Sequence, residues 1–132
     1  MIVDNEMIAD FITANHEPSR DWPRQRLLEW IDWFRRDGRC AILTKAGKLV
    51  GVALARPLSV RQKETEHYAM NVVSRTIYVD LVIGSKSIMA AMMKILRLRF
   101  PRAIKIRFSR FKRGLTSKTY NLDQFERRLK HG

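Results

Sequence analysis

Four consecutive residues, Gly84-Ser85-Lys86-Ser87, separate two strongly patterned runs. Arg75 to Ile83 alternates in the manner of a strand, and Lys86 to Phe100 reads as a largely apolar helix. A glycine turn feeding a helix presents unsatisfied backbone N–H groups and the positive end of a helix dipole, which is chemistry for an anion. The amides of Gly84, Ser85, Lys86, Ser87 and Ile88 would form that site, with the Lys86 charge and two hydroxyls beside them. The plainer reading is a strand-to-helix turn in which Ser85 caps the helix. On the strand, Asp80 stands among apolar residues, surroundings that raise a carboxyl pKa. Its plainer role is to face Tyr78, a basic side chain or water.

A second constellation is basic. Lys105, Arg107, Arg110, Lys112, Arg113 and Lys118 are interleaved with Phe108, Phe111 and Tyr120. Arg and Lys neutralise phosphates, and an exposed aromatic ring can stack on a base. Phe108 alternates inward, which leaves Phe111 and Tyr120 for stacking. Ser109-Arg-Phe-Lys112 matches Ser-x-x-Lys, but the companion motifs of that enzyme class are absent and the match reads as chance.

The charge that surrounds these residues is uneven. The 132-residue chain carries 26 Lys and Arg against 13 Asp and Glu, a formal net charge of +13. Residues 1–38 hold five bases and eight acids, whereas residues 39–132 hold the other 21 bases and five acids. Lys94 to Lys118 contains ten bases and no acid. Such a field attracts nucleic acid, anionic lipid, acidic protein or a phosphorylated cofactor. The length predicts a single domain, 1–132, with 110–132 as a basic C-terminal segment. One cysteine, Cys40, forms no internal disulfide and reads as a small buried hydrophobe. With three scattered histidines it offers no structural zinc spacing, so no metal is expected. No apolar run approaches a membrane span, and Met1 to Asp10 carries acids but no base, which predicts no targeting peptide and a cytoplasmic location.

The remaining elements must position these groups. Val3 to Ala14 predicts a helix capped by Asp4 or Asn5. Asp21 to Arg36 predicts a second, with Asp21 as N-cap, Pro23 in the first turn and Gly38 just beyond the end. Trp22, Trp30 and Trp33 lie on or near it, for core packing or a partner-binding face. Cys40–Thr44 and Leu49–Arg56 flank Lys45-Ala46-Gly47-Lys48 as a hairpin, with Gly51 marking a bulge or a close backbone approach. Leu58 to Ser74 reads as a polar loop. In the strand 75–83, Ile77, Val79, Leu81 and Ile83 are expected on one face, with Thr76, Tyr78, Asp80 and Val82 on the other. In Ala103–Ser109, Ile104, Ile106 and Phe108 are expected inward and Lys105, Arg107 and Ser109 outward. A short strand at Tyr120–Leu122 and a helix capped by Asp123 would end the chain. This order predicts an α+β domain, a three-layer α/β/α arrangement around a mixed sheet.

Two stretches, Cys40 to Ala55 and Tyr78 to Met93, resemble the GNAT superfamily of N-acetyltransferases, as does the element order over residues 4–110. The first is similar to that family's second and third strands, and the second to its fourth strand, cofactor loop and third helix. The resemblance implies a GNAT-like fold with a shortened N-terminal strand and C-terminal half. It implies acetyl-CoA as cofactor, with pantetheine between the fourth and fifth strands and pyrophosphate on the amides around Val82, Ile83, Gly84, Ser85, Lys86, Ser87 and Ile88. It further implies Asp80 as a base and Tyr120 as a general acid. The loop here is shorter than the family's and lacks its second glycine, and Tyr120 is followed by Asn121-Leu122 rather than Gly-Phe. The expected function is therefore an acyl-CoA-dependent N-acyltransferase. The alternative is a non-catalytic protein of that fold, either a basic nucleic-acid-associated module or a subunit of a larger assembly with a protein partner.

Overall fold

The structure, a computed structural model, describes residues 2–59, 62–63, 66, 68–110 and 116–131. The chain runs α1 (Asn5–Asn15), a 3-10 turn (Glu17–Asp21), α2 (Arg24–Arg36), β1 (Cys40–Lys45), β2 (Lys48–Pro57), β3 (Thr76–Ile83), α3 (Lys86–Arg99), β4 (Lys105–Arg110), β5 (Thr116–Asn121) and α4 (Leu122–His131). The sheet is mixed and its strands lie in chain order. β3 and β4 are parallel, and the other neighbours are antiparallel.

Helices cover both faces. Ile8, Ile12, Leu27, Ile31 and Phe34 of α1 and α2 pack against Val52, Leu54 and Leu81. Met92, Met93 and Leu96 of α3, with Leu122 of α4, pack against Ala53, Ala55, Ile77, Val79 and Ile106 on the other side. This is the α+β, three-layer arrangement expected from the element order.

Local chemistry explains most boundaries. The Asp4 side chain accepts from the Met7 N–H and caps α1. α2 starts three residues later than expected, and Asp21 belongs to the preceding 3-10 turn instead of capping it. Pro23 holds Trp22 extended, so the helix begins only after the proline. At its end Gly38 has φ +71, and the Gly38 and Arg39 N–H groups donate to Arg35 and Phe34, a Schellman closure. Ala46 and Gly47 both have positive φ, as a two-residue hairpin turn of type I′ requires.

Two irregularities shape the sheet. Leu43 pairs with Gly51 and Thr44 with Leu49, which leaves Val50 as an extra residue. Gly51 also lies under α3, where a Cβ would come within 2.4 Å of Ile88 Cγ2. In β3, Leu81 pairs with Leu54 and Val79 with Ala55, so Asp80 is the inserted residue of a bulge. The bulge corrects the expected alternation. Ile77 and Val79 face α3, whereas Leu81 and Ile83 face α1 and α2.

The last strand starts earlier than the Tyr120–Leu122 expected, at Thr116. Arg110 ends β4, β5 pairs along β4, and α4 packs on α3. Arg97 of α3 donates to Asp123 at 2.6 Å and to Glu126 at 2.8 Å. Asn121, not Asp123, caps α4, accepting from the Gln124 N–H.

Candidate functional site

β3 and β4 pair only from Thr76↔Lys105 to Val79↔Phe108. Beyond that point β4 continues as partner of β5, through Ser109↔Ser117 and Arg110↔Thr116. β3 runs on through Asp80–Ile83 to α3, and its edge away from β2 has no strand partner there among the described residues. The two strands thus form a fork. Tyr78 Oη lies 2.6 Å from Ser109 Oγ, tying the strands together where they part.

Asp80 stands at the base of the fork. Its carboxylate accepts from Arg56 Nε at 3.0 Å, in a pair whose side chains are 12% and 2% exposed. Arg56 also donates to the carbonyls of Glu66 and Ala69, at 2.6 and 2.8 Å, and so fastens those two residues to the sheet. Its guanidinium is 5.6 Å from the Tyr78 ring centroid. Burial pushes the Asp80 pKa up to about 6, against the charge and hydrogen bond of Arg56, which lower it. A carboxylate so poised exchanges protons near neutrality, although its second role is to neutralise a buried guanidinium. Arg56 was not among the residues singled out from sequence. One arginine ending an apolar strand and one aspartate inside another are the pattern that would have paired them.

The start of α3 follows β3 after only two residues. Gly84 has φ +157, and a Cβ there would meet Ile88 Cγ2 at 2.8 Å. Ser85 is the N-cap, its Oγ accepting from the Ile88 N–H and lying 3.2 Å from Ser87 Oγ. Lys86 is exposed at the first helical position. Val82 packs toward α3 and Ile83 toward α1 and α2. The residues from Val82 to Ile88 are therefore contiguous around one strand-to-helix turn. The space between the fork, α3 and α4 is filled by Val79, Met89, Met93, Phe108 and Phe125, leaving a cavity of about 10 Å³.

Tyr120 pairs with Ile106 in register and belongs to the α3/α4 side, against Phe108 and Phe125. Asp80 turns to Arg56, beside Tyr78, on the opposite face. The structure does not bring Asp80 and Tyr120 together.

The basic residues divide. Lys105 and Lys118 are exposed. Register puts Lys118 opposite Phe108, on the α3/α4 side, and Lys105 on the other. Arg107 is 8% exposed, 5.7 Å from the Tyr78 ring, and donates to the Ser59 carbonyl, so it is not the outward residue that alternation predicts. Ile104, expected inward, is 50% exposed because it lies just before the strand begins. Arg110 ends β4, and Lys112 and Arg113 lie outside the described residues. Cys40 is half-buried, and burial pushes its thiol up, away from nucleophilic chemistry.

Among the described residues no group of three or more His, Cys, Asp or Glu could hold a metal, and no helix is long and apolar enough to cross a membrane. No family model matches the chain, and no curated protein or solved structure is significantly similar to it.

Proposed function

We propose that this chain is an acyl-CoA-binding protein of GNAT-like fold that acts as an N-acyltransferase. One observation carries the reading: β3 leaves β4 after Val79, and Asp80–Ile83, whose outer edge has no strand partner among the described residues, leads directly to the N-terminus of α3. An extended, amide-bearing chain such as pantetheine can pair with a strand edge. A pyrophosphate at its end would then meet the amides of Gly84, Ser85, Lys86, Ser87 and Ile88, with the Lys86 charge adding attraction. When bound, the cofactor supplies an activated acyl thioester. Asp80 is the group that could take a proton from an ammonium acceptor near the fork, and Tyr78 with Ser109 holds the fork's base.

Calorimetric titration with acetyl-CoA, after nuclease and high-salt removal of nucleic acid, tests this directly. Saturable binding that exceeds that of 3′-dephospho-CoA and ATP is expected. Lys86→Glu should weaken it by about tenfold while leaving the fold intact. Equal weak binding of every polyphosphate would overturn the cofactor site.

A second reading rests on the filled space beside the fork. A cavity of about 10 Å³ admits at most one water, so an acyl group enters only if α4 or Phe108 moves. A non-catalytic, polyanion-associated protein uses the same fold and its +13 charge without that movement. Retention on single-stranded DNA through a salt series, without acetyl-CoA binding, would favour it.

A further inference from the structure

On the side of the molecule where α2 begins, Trp22, Pro23, Arg26, Leu27, Glu29, Trp30 and Tyr68 enclose a groove of about 480 Å³. Trp22 and Trp30 stand perpendicular, 89° between ring planes, with centroids 5.4 Å apart. Trp30 is braced in turn by Phe34, again at 89°. Tyr68 closes the far side. It leans on Trp33 with 5.3 Å between centroids, and its backbone is held at φ +62. A non-glycine residue in that conformation is held there by its surroundings, here by the Ala69 carbonyl that Arg56 grips. Trp22 is 40% exposed and Tyr68 45%, so two large rings face the groove and solvent without being closed into the core.

We propose that this groove binds an organic cation bearing methyl groups, a quaternary or methylated ammonium. Three points argue for that class over a neutral apolar ligand. Two indoles at right angles to each other and the Tyr68 phenol line the groove, and aromatic rings attract a cation, while methyl groups pack on the apolar lining of Pro23 and Leu27. Glu29 supplies a carboxylate at the rim, oriented by Gln25 at 3.2 Å. The segment that builds most of the groove, residues 1–38, carries eight acids against five bases on a chain whose remainder is strongly basic. Arg24 with Glu6 and Asp10, and Arg36 with Asp32, neutralise one another, which leaves five acids against three bases in that segment. Arg26 also lines the groove, and its long apolar stem can form wall while its charged head stays in water. The inference does not depend on a working cofactor site.

The probe is choline, titrated into the full chain and followed by the indole N–H resonances of Trp22 and Trp30. Its control is 3,3-dimethylbutan-1-ol, which has the same shape without the charge. Choline should shift both resonances saturably, with the neutral alcohol at least about tenfold weaker. Tyr68→Ala and Glu29→Gln should each weaken choline by about fivefold or more, with cooperative thermal unfolding retained. Equal binding of choline and the alcohol would make this an apolar groove and overturn the proposal. So would shifts that never saturate, or choline binding that survives Tyr68→Ala.

Discussion

Tyr78 Oη lies 2.6 Å from Ser109 Oγ at the point where two parallel strands separate. The bond runs from Tyr78, in the penultimate rung of β3 and β4, to Ser109, the first residue of β4 beyond the last rung. A hydroxyl pair in this position contributes about 1 kcal/mol. Tyr78→Phe and Ser109→Ala are each expected to cost roughly that in urea denaturation, and the double-mutant cycle should return a coupling of about 1 kcal/mol. A coupling near zero would mean that the strands are held without it.

The Asp80 carboxyl should titrate near pH 6, well above its ordinary value of 3.8. A raised pKa in the folded protein means that the fold holds the proton more tightly than the unfolded chain does. The stability from this group is therefore complete below the unfolded carboxyl value and is lost as pH rises through about 6. The stability of wild type minus that of Asp80→Asn should fall between about pH 4 and pH 6 and level off above. Carbon-13 titration of the carboxyl provides the direct readout. Since Arg56 opposes the shift, Arg56→Met should move the midpoint still higher. A midpoint near 4 in wild type would contradict the burial argument.

Gly51→Ala should be among the costlier glycine changes. A Cβ there meets Ile88 Cγ2 at 2.4 Å and Met92 Sδ at 3.0 Å, so the Ile88 side chain or α3 itself must shift to admit it. Overpacking of this kind costs about 1–3 kcal/mol. Gly47→Ala, with φ +75 but open space around it, should cost only about 1 kcal/mol from backbone strain. Thermal melting of the two variants, compared side by side, decides the order.

Ser85→Ala should cost about 1 kcal/mol of stability through loss of the α3 cap. Lys86→Glu should leave stability nearly unchanged while weakening phosphate-bearing ligands. If Ser85→Ala melts like wild type, the cap geometry is wrong. If Lys86→Glu does not alter acetyl-CoA binding, the turn has no part in cofactor binding.

The element order and the layering were legible in periodicity and in glycine and proline positions. The hairpin turn at Ala46-Gly47, the closure at Gly38 and the close approach at Gly51 were all marked by glycine in the sequence. What periodicity missed was a change of phase. Ile77, Val79, Leu81 and Ile83 alternate without a break, yet the inserted Asp80 turns the second pair to the other face. No local feature of the sequence announces the insertion, because a bulge is set by the partner strand's register. Arg107 was misplaced for a related reason. A charged residue reads as outward, but here the Tyr78 ring and the Ser59 carbonyl receive the guanidinium and bury it. The start of α2 was missed because Asp21 resembles a cap, while Pro23 two residues later dictates where the helix can begin.

The strands lie across the sheet in the order in which the chain makes them. The β1–β2 and β4–β5 pairs therefore close short loops and can form early at little entropic cost. The expensive closures are the 58–75 connection and the passage through α3 that makes β3 and β4 parallel. Both converge on β3, so its docking carries the largest loop-closure cost in the sheet.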